Sequence, residues 1–211
     1  MAVIPELAVT DPDAARAMLA QVFGFVPDGG MMRLGTQAVA VVTGGAAGHG
    51  AIDHLAIAVP DVDAAAAAMI ARGARRDPDV TPDGPLEIAE FWQKGVRYLF
   101  LSGPGGARIE LIANLGRPQG PGHDHIGLPC TDIAASAAFF AGLGARPLAA
   151  VTLHRPEGQT LVRFLSLQGA VIELYQPPVP AHPPGQGKWR RLLIDGVAPA
   201  TGPDGVTVAP A

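Results

Sequence analysis

The sequence predicts an α+β protein built from tandem βαβββ modules. Three segments that open alike indicate the tandem: IPELAVTDPDAARAML from Ile4, DHLAIAVPDVDAAAAAMI from Asp53 and DHIGLPCTDIAASAAFF from Asp124. The second and third segments also share one spacing, since His54 and His125 lie 71 residues apart, as do their helix-capping aspartates and closing glycines. Self-similarity of this kind is typical of a chain that repeats one supersecondary unit.

Each segment predicts a short strand followed by an amphipathic helix. An apolar run comes first, and then an aspartate that can cap a helix N-terminus. Apolar residues then recur at helical spacing until a glycine, which tolerates the left-handed conformation that ends many helices. The predicted caps are Asp11, Asp61 and Asp132, and the predicted stops are Gly24, Gly73 and Gly144. Extended segments rich in β-formers follow the second and third helices, at 97–102, 107–113, 161–167 and 170–176.

These patterns divide the chain into four parts. Residues 1–46 are predicted to form a degenerate, compact βαβββ module without metal ligands, which serves packing or dimerisation. Residues 49–115 and 122–177 form two fuller modules. Residues 178–211 are rich in proline and glycine, and we expect them to be a partly ordered C-terminal tail.

Composition limits the class of protein. The 211 residues carry a net charge of −4 and show no basic stripe, so nucleic acid is not an expected partner. No apolar run approaches the length that crosses a membrane, and the N-terminus lacks the features of a secretory signal. The single cysteine, Cys130, excludes an intrachain disulfide framework and fits a reducing compartment, so we expect a cytoplasmic protein.

Two histidines and two glutamates carry the candidate chemistry. His54 and His125 each open the first strand of a module, while Glu110 and Glu173 lie inside the last strand of the same modules, in ARIELIANL and AVIELYQ. A glutamate within an apolar strand is costly to bury unless it is paired, protonated or bound to a cation. Each of the four residues alone has an ordinary structural interpretation, a satisfied surface or core histidine or a glutamate at a solvated strand edge. The repeated pattern instead predicts one divalent metal ion, whether Zn, Ni, Co, Mn or Fe, held by all four side chains.

The openings DHLAIAVPD and DHIGLPCTD and the closing strands RIELI and VIELY resemble the vicinal oxygen chelate superfamily. This superfamily includes glyoxalase I, methylmalonyl-CoA epimerase, extradiol dioxygenases and bleomycin-binding proteins. The resemblance covers residues 49–177 well and 1–46 weakly. It implies that two modules pair into a metal-binding cup, with ligands from the first and last strands of each. The His/Glu/His/Glu set is closest to glyoxalase I.

The resemblance also implies roles for individual residues. Glu173 is the preferred general base and Glu110 the second choice, and Asn114 matches a substrate-contacting asparagine of bacterial glyoxalase I. A glutathione-binding arginine of glyoxalase I is replaced by Ala58, and its counterpart after His125 by Pro129, which argues against a glutathione-linked substrate. Further side chains are predicted from their place in the strands to contact substrate: Tyr98, Arg97 and Arg163.

The expected activity is that of a metal-dependent lyase or isomerase that removes a proton next to a carbonyl of a small oxygenated substrate. Two alternatives stay open. An Fe(II) extradiol-type dioxygenase needs only His54, His125 and Glu173, although Arg163 then stands where such enzymes place a tyrosine. A metal-free drug-binding or resistance module is the other. Proteins of this superfamily build their sites within one chain or between two, and we expect a homodimer.

Overall fold

The computed structural model describes residues 3–46, 48–181 and 185–211. These residues form a nine-stranded sheet, a seven-stranded sheet and three α-helices. The predicted α+β fold class, with βαβββ modules, is confirmed. The helices are α1 (Pro12–Gln21), α2 (Val62–Ala71) and α3 (Ile133–Gly142).

The nine-stranded sheet comes from the second and third modules. The second module contributes β5 (His54–Ala58), β6 (Arg75–Arg76), β7 (Leu86–Ile88), β8 (Val96–Ser102) and β9 (Arg108–Asn114). The third contributes β10 (Gly122–Pro129), β11 (Arg146–Arg155), β12 (Gly158–Leu167) and β13 (Ala170–Gln176). The strand order is β11-β12-β13-β10-β5-β9-β8-β6, with β7 beside β8.

The centre of this sheet brings the first and last strands of both modules together. Strands β5 and β10 are antiparallel neighbours, and each has the closing strand of its own module beside it in parallel, β9 next to β5 and β13 next to β10. The four strands that carry the candidate ligands are therefore adjacent.

The helices begin where the sequence predicts. The side chains of Asp11 and Asp61 accept hydrogen bonds from the amides of Ala14 and Ala64, and Asp132 caps α3 in the same way. The three predicted stop glycines adopt left-handed φ values of 79°, 104° and 93°. Helix α2 packs on β8 and β9, and α3 packs on β12 and β13. Both helices cover the same face of the sheet, and the opposite face is left to form a cup.

The seven-stranded sheet joins the two ends of the described chain. The first module supplies β1 (Val3–Val9), β2 (Val26–Asp28), β3 (Met31–Leu34) and β4 (Gln37–Thr43). The C-terminal segment supplies β14 (Trp189–Ile194), β15 (Ala200–Thr201) and β16 (Thr207–Pro210). Strand β14 pairs with β1, and the buried Glu6 of β1 forms ion pairs with Arg190 and Arg191.

The segment expected as a partly ordered tail thus contains three strands of a sheet. Its local sequence carried a signal for this: TGPDGVTV resembles SGPGGARI of the second module. Both form a 3₁₀ turn, at Pro104–Gly106 and Pro203–Gly205, in which the preceding glycine donates to the carbonyl that follows the turn. The described residues of the C-terminal segment form the closing part of a module and contain no α-helix.

Apolar side chains on the helix-facing side of both sheets form the main core. Leu55, Ile57, Ile109 and Leu111 are fully buried there beneath α2. A smaller aromatic cluster lines the cup on the opposite face, built around Phe91 and Phe164. Among the described residues, no helix is both long and apolar enough to span a membrane.

Candidate metal centre

The strand pleat places all four predicted ligands on the cup side of the nine-stranded sheet. Successive residues of a strand point to opposite faces, so burying Leu55 under the helix turns His54 towards the cup. The same alternation applies to His125, Glu110 and Glu173, whose neighbours in sequence pack in the main core. All four residues are buried, with no more than 7% exposure.

The four side chains approach one another within a single chain, and three of them, His54, Glu110 and His125, offer ligand atoms that all lie within 4.8 Å of one another. The Nε2 atoms of His54 and His125 lie 3.1 Å apart. Oε2 of Glu110 lies 3.4 Å from the first of these nitrogens and 3.1 Å from the second. Oε2 of Glu173 lies 3.6 Å and 3.2 Å from the same two nitrogens. The structure therefore brings together the residues that the repeat pattern paired.

Two aspartates decide which histidine nitrogens face the centre. Asp53 Oδ2 lies 2.9 Å from His54 Nδ1, and Asp124 Oδ1 lies 2.8 Å from His125 Nδ1. A neutral imidazole that donates its Nδ1 hydrogen to a carboxylate presents a lone pair at Nε2. In that state two lone pairs and two carboxylates converge, and Glu110 Oε2 has no hydrogen-bond partner. Buried acceptors without donors are unfavourable unless a cation binds among them.

The distances suit a divalent ion. Ligand atoms about 2.1 Å from a metal lie roughly 3.0 to 3.4 Å from one another in octahedral or tetrahedral arrangements. The separations above, from 3.1 to 3.6 Å, are close to this range. Imidazole nitrogens with carboxylate oxygens suit Zn, Fe, Co, Ni or Mn. His54, Glu110 and His125 therefore fit a divalent metal, and Glu173 lies close to both histidine nitrogens.

The shifted pKa values of the site favour protonated imidazoles beside ionised carboxylates. Burial lowers the pKa of His54, but the nearby carboxylates of Asp53, Glu110 and Glu173 outweigh burial and raise that pKa well above the ordinary value. Burial raises the pKa of Glu173, but the adjacent His125 outweighs it and lowers that pKa to about 2. A metal ion would take the place of these protons, so binding should release them.

The position of His54 depends on a glycine in the neighbouring strand. Gly127 of β10 lies opposite His54 of β5 and beside Glu173 of β13. A Cβ atom at position 127 would lie 2.0 Å from Cε1 of the imidazole, far inside any contact distance. The glycine leaves the space into which the ring folds.

A buried arginine anchors the aspartate behind His54. Arg108 Nη1 lies 2.8 Å from Asp53 Oδ1, and its Nε lies 3.1 Å from Asp77 Oδ2. All three side chains are almost fully buried. Asp124, behind His125, is more exposed, at 19%. The two histidines are therefore held by unequal surroundings, one by an internal charge network and the other by a carboxylate near solvent.

The ligands lie at the base of a cavity of about 320 Å³. Its wall is mostly apolar and aromatic, including Ile88, Phe91, Phe100, Leu153, Val162 and Tyr175. Phe100 packs its ring edge to face with His54, with centroids 5.0 Å apart. Ala181, near the start of the C-terminal segment, also reaches the wall. A volume of this size accommodates a small organic molecule.

Of the residues predicted to contact substrate, Tyr98 lies in the cavity wall and Asn114 does not. Tyr98 lines the cavity, and burial raises the pKa of its hydroxyl to about 12, so it stays a hydrogen-bond donor at neutral pH. Asn114 lies at the end of β9, where its side chain accepts from the amides of Gly116 and Arg117 instead of facing the cavity.

The two predicted arginines require correction, because strand alternation turns them away from the cup. Arg97 neighbours the inward-facing Tyr98 and binds Asp63 of α2 and Glu87. Arg163 lies between two inward-facing residues, Val162 and Phe164, and its charge acts on the Cys130 thiol on the helix side. Neither lines the cavity.

The sequence interpretation missed several residues of this site. The sequence did contain a signal for Asp53 and Asp124, because an aspartate directly precedes the candidate histidine in each of the two repeats. Tyr175 lies two residues after Glu173 and therefore on the same face of its strand. Gly127 and Arg108 carried no such signal, because their roles depend on which strands are neighbours.

Comparison with solved structures identifies the fold. A glyoxalase I variant from Zea mays aligns with a TM-score of 0.73 over 98% of this chain and 90% of its own, at 17% identity. A second variant of that enzyme gives 0.70 at the same identity, covering 98% and 91%. This chain has the fold of glyoxalase I.

A more distant neighbour has the same general architecture. A variant of 4-hydroxymandelate synthase from Streptomyces coelicolor aligns with a TM-score of 0.51 over 88% of this chain and 72% of its own, at 15% identity. No family model and no curated relative matches the sequence itself. The glyoxalase-like fold is therefore established by three-dimensional similarity, while the choice of reaction depends on the site.

Proposed function

We propose that the protein is a divalent-metal-dependent lyase or isomerase that removes a proton next to a carbonyl group. His54, His125, Glu110 and Glu173 would hold one metal ion. The observation that carries this proposal is the convergence of these four buried side chains, with Nε2 atoms 3.1 Å apart and both Nδ1 atoms directed to aspartates. No ordinary packing role explains four acceptor groups directed at one point.

A bound divalent ion would polarise the carbonyl oxygen of the substrate and make the adjacent hydrogen more acidic. The residues of the chain would do the rest. His54 and His125 would be fixed ligands, because Asp53 and Asp124 hold their rings. Glu173 would accept the proton, with Glu110 as the second choice; both carboxylates line the cavity. The apolar wall would exclude water from the exchanging proton.

Elemental analysis of the purified protein, followed by proton exchange in D₂O, tests this function. We expect about one divalent ion per chain, and exchange of the α-hydrogen of small hydroxy-ketones followed by NMR. Glu173→Gln should suppress exchange about 10²- to 10⁴-fold while weakening substrate binding much less. Protein that binds no divalent ion, even after loading, would contradict the proposal.

A metal-dependent dioxygenase is the second candidate. The likeness to 4-hydroxymandelate synthase favours it. A facial triad of two histidines and one carboxylate could be supplied by His54, His125 and Glu173, although the mutually close group contains Glu110 as its carboxylate. Oxygen consumption coupled to ring cleavage of a catechol by the iron-loaded protein would replace the first proposal by this one. Tight binding of an aromatic drug by the metal-free protein would instead support the third interpretation, a drug-binding or resistance module that is not an enzyme.

A glutathione-linked activity is not part of the proposal. Ala58 and Pro129, at the positions of the glutathione-binding arginine, are both buried in their strands and offer no charge. We expect negligible turnover of a glutathione hemithioacetal by the metal-loaded protein.

A further inference from the structure

The walls of the cavity restrict the charge of what can enter it. The lining side chains include one fixed cation among the described residues, Arg108. Its guanidinium is already bound by Asp53 at 2.8 Å and by Asp77 at 3.1 Å, both buried. A substrate carboxylate or phosphate would have to displace one of these aspartates from a buried partner, and breaking such a pair is strongly unfavourable.

The metal would not supply a net positive charge either. Two of its four candidate ligands are carboxylates, Glu110 and Glu173, which balance the charge of a divalent ion. Other arginines near this part of the sheet are ion-paired with Asp63 and Glu90 and are outside the lining. An anionic group inside the cavity would therefore meet no compensating charge among the described residues, and burying it would be costly.

The remaining wall favours apolar groups. Phe91, Leu153 and Val162 belong to the cluster that lines the cup, and Ile88 and Tyr175 pack against it. Phe91 and Phe164 lie edge to face at 5.2 Å, so that part of the wall is a packed aromatic surface. Such a surface buries rings and alkyl chains favourably.

We propose that the substrate of this site is an uncharged molecule that carries an aryl or branched-alkyl group next to two neighbouring oxygen atoms. The two oxygens would bind the metal, and the apolar group would lie against Phe91, Leu153 and Val162. This inference rests on the proposed metal site and specifies the substrate class for it.

Hydroxamates test the inference, because they chelate metals through two neighbouring oxygens and can carry different side groups. Binding of acetohydroxamate, benzohydroxamate and 4-carboxybenzohydroxamate to the zinc-loaded protein would be measured by calorimetry. We expect benzohydroxamate to bind about 10- to 100-fold more tightly than acetohydroxamate, because the ring is buried. The added carboxylate should cancel most of this gain.

Two leucine variants give a matched control. Leu153 lines the cavity, whereas Leu161 is 37% exposed and lies outside the lining. Leu153→Ala should weaken benzohydroxamate about 3- to 10-fold and leave acetohydroxamate unchanged, and Leu161→Ala should change neither.

The outcomes separate the two proposals. If acetohydroxamate does not bind the zinc-loaded protein, the metal site itself is wrong. If acetohydroxamate binds but the phenyl ring adds no affinity, or the carboxylated ligand binds as tightly as benzohydroxamate, only the apolar, uncharged substrate class is overturned.

Discussion

The imidazole of His54 occupies the space that a side chain at position 127 would need. An added Cβ at Gly127 would lie 2.0, 2.2 and 2.6 Å from three atoms of the ring. Gly127→Ala should therefore displace the ring from the centre and lower metal affinity at least 10-fold. Metal stoichiometry and affinity, measured after reloading the stripped protein, would show this.

Gly142→Ala is the matched control for this prediction. Position 142 is the last residue of α3, and an added Cβ there meets nothing within 4 Å. Metal affinity should be unchanged, and the melting temperature should stay the same or rise slightly. Equal metal affinity in the two variants would show that the close approach at Gly127 does not position His54.

The aspartates behind the histidines should tune metal affinity. Asp53→Asn and Asp124→Asn each replace a carboxylate that orients an imidazole, so each should weaken metal binding about 10- to 100-fold. Asp53→Asn should also lower the melting temperature more, because Asp53 binds the buried Arg108. Asp61→Asn, at a helix cap where asparagine serves equally well, should change neither quantity. Unchanged metal affinity in both Asp53→Asn and Asp124→Asn would show that these aspartates do not orient the histidine ligands.

The internal charge network around Arg108 should contribute strongly to stability. Arg108→Gln leaves Asp53 and Asp77 buried without their cation, which should lower the free energy of unfolding by about 3 to 5 kcal/mol. Chemical denaturation would measure the change. Arg97→Gln, which breaks ion pairs on the exposed face, should cost much less. Similar losses for both variants would contradict the internal role of Arg108.

Ligand removal should distinguish the two sheets. His54→Ala and His125→Ala should each reduce bound metal to well under one ion per chain, because the remaining carboxylates cannot replace a nitrogen ligand. Glu6→Gln should destabilise the seven-stranded sheet by weakening its ion pairs with Arg190 and Arg191, without altering metal stoichiometry. Loss of metal in Glu6→Gln, at conditions where the variant stays folded, would require a different site.

The buried thiol gives a prediction about pH. Burial raises the pKa of Cys130 to about 11, above its ordinary value of 9.0. The unfolded chain therefore loses this proton at lower pH than the folded protein, so stability should fall as pH rises from about 9 to about 11. Denaturation curves across this interval should show a smaller pH dependence for Cys130→Ala than for the unmodified protein. An equal slope in both would contradict the raised pKa.

Much of the fold could be predicted because its signals are local. The capping aspartates, the stop glycines and the repeated His and Glu positions each depend on neighbours in sequence or on strand alternation. Arg97 and Arg163 show the limit of such reasoning: being near a site strand in sequence does not decide which face a side chain takes. The alternation of side chains along the strand decides the face, and here both arginines lie on the face of the sheet away from the cup.

Other features depended on strand order and could not be predicted from local pattern. Gly127 makes room for the His54 ring because β5 lies beside β10. Arg108 forms its buried ion pairs because the fold brings Asp53 and Asp77 next to it. The C-terminal segment has few apolar residues in a row, and its strand β14 lies between β1, from the other end of the chain, and β16. The homodimer, the cytoplasmic location and the identity of the metal stay predictions.

The pairing of β1 with β14 has a consequence for how the molecule folds. Glu6 and its arginine partners are separated by more than 180 residues of chain. Closing so long a loop is entropically slow, whereas the nine-stranded sheet is built from one continuous stretch of sequence. During synthesis, the nine-stranded sheet can therefore assemble while β1 is still without its partner β14. The unpaired edge of β1 is then exposed, and it is the strand edge at which we expect aggregation on the folding pathway.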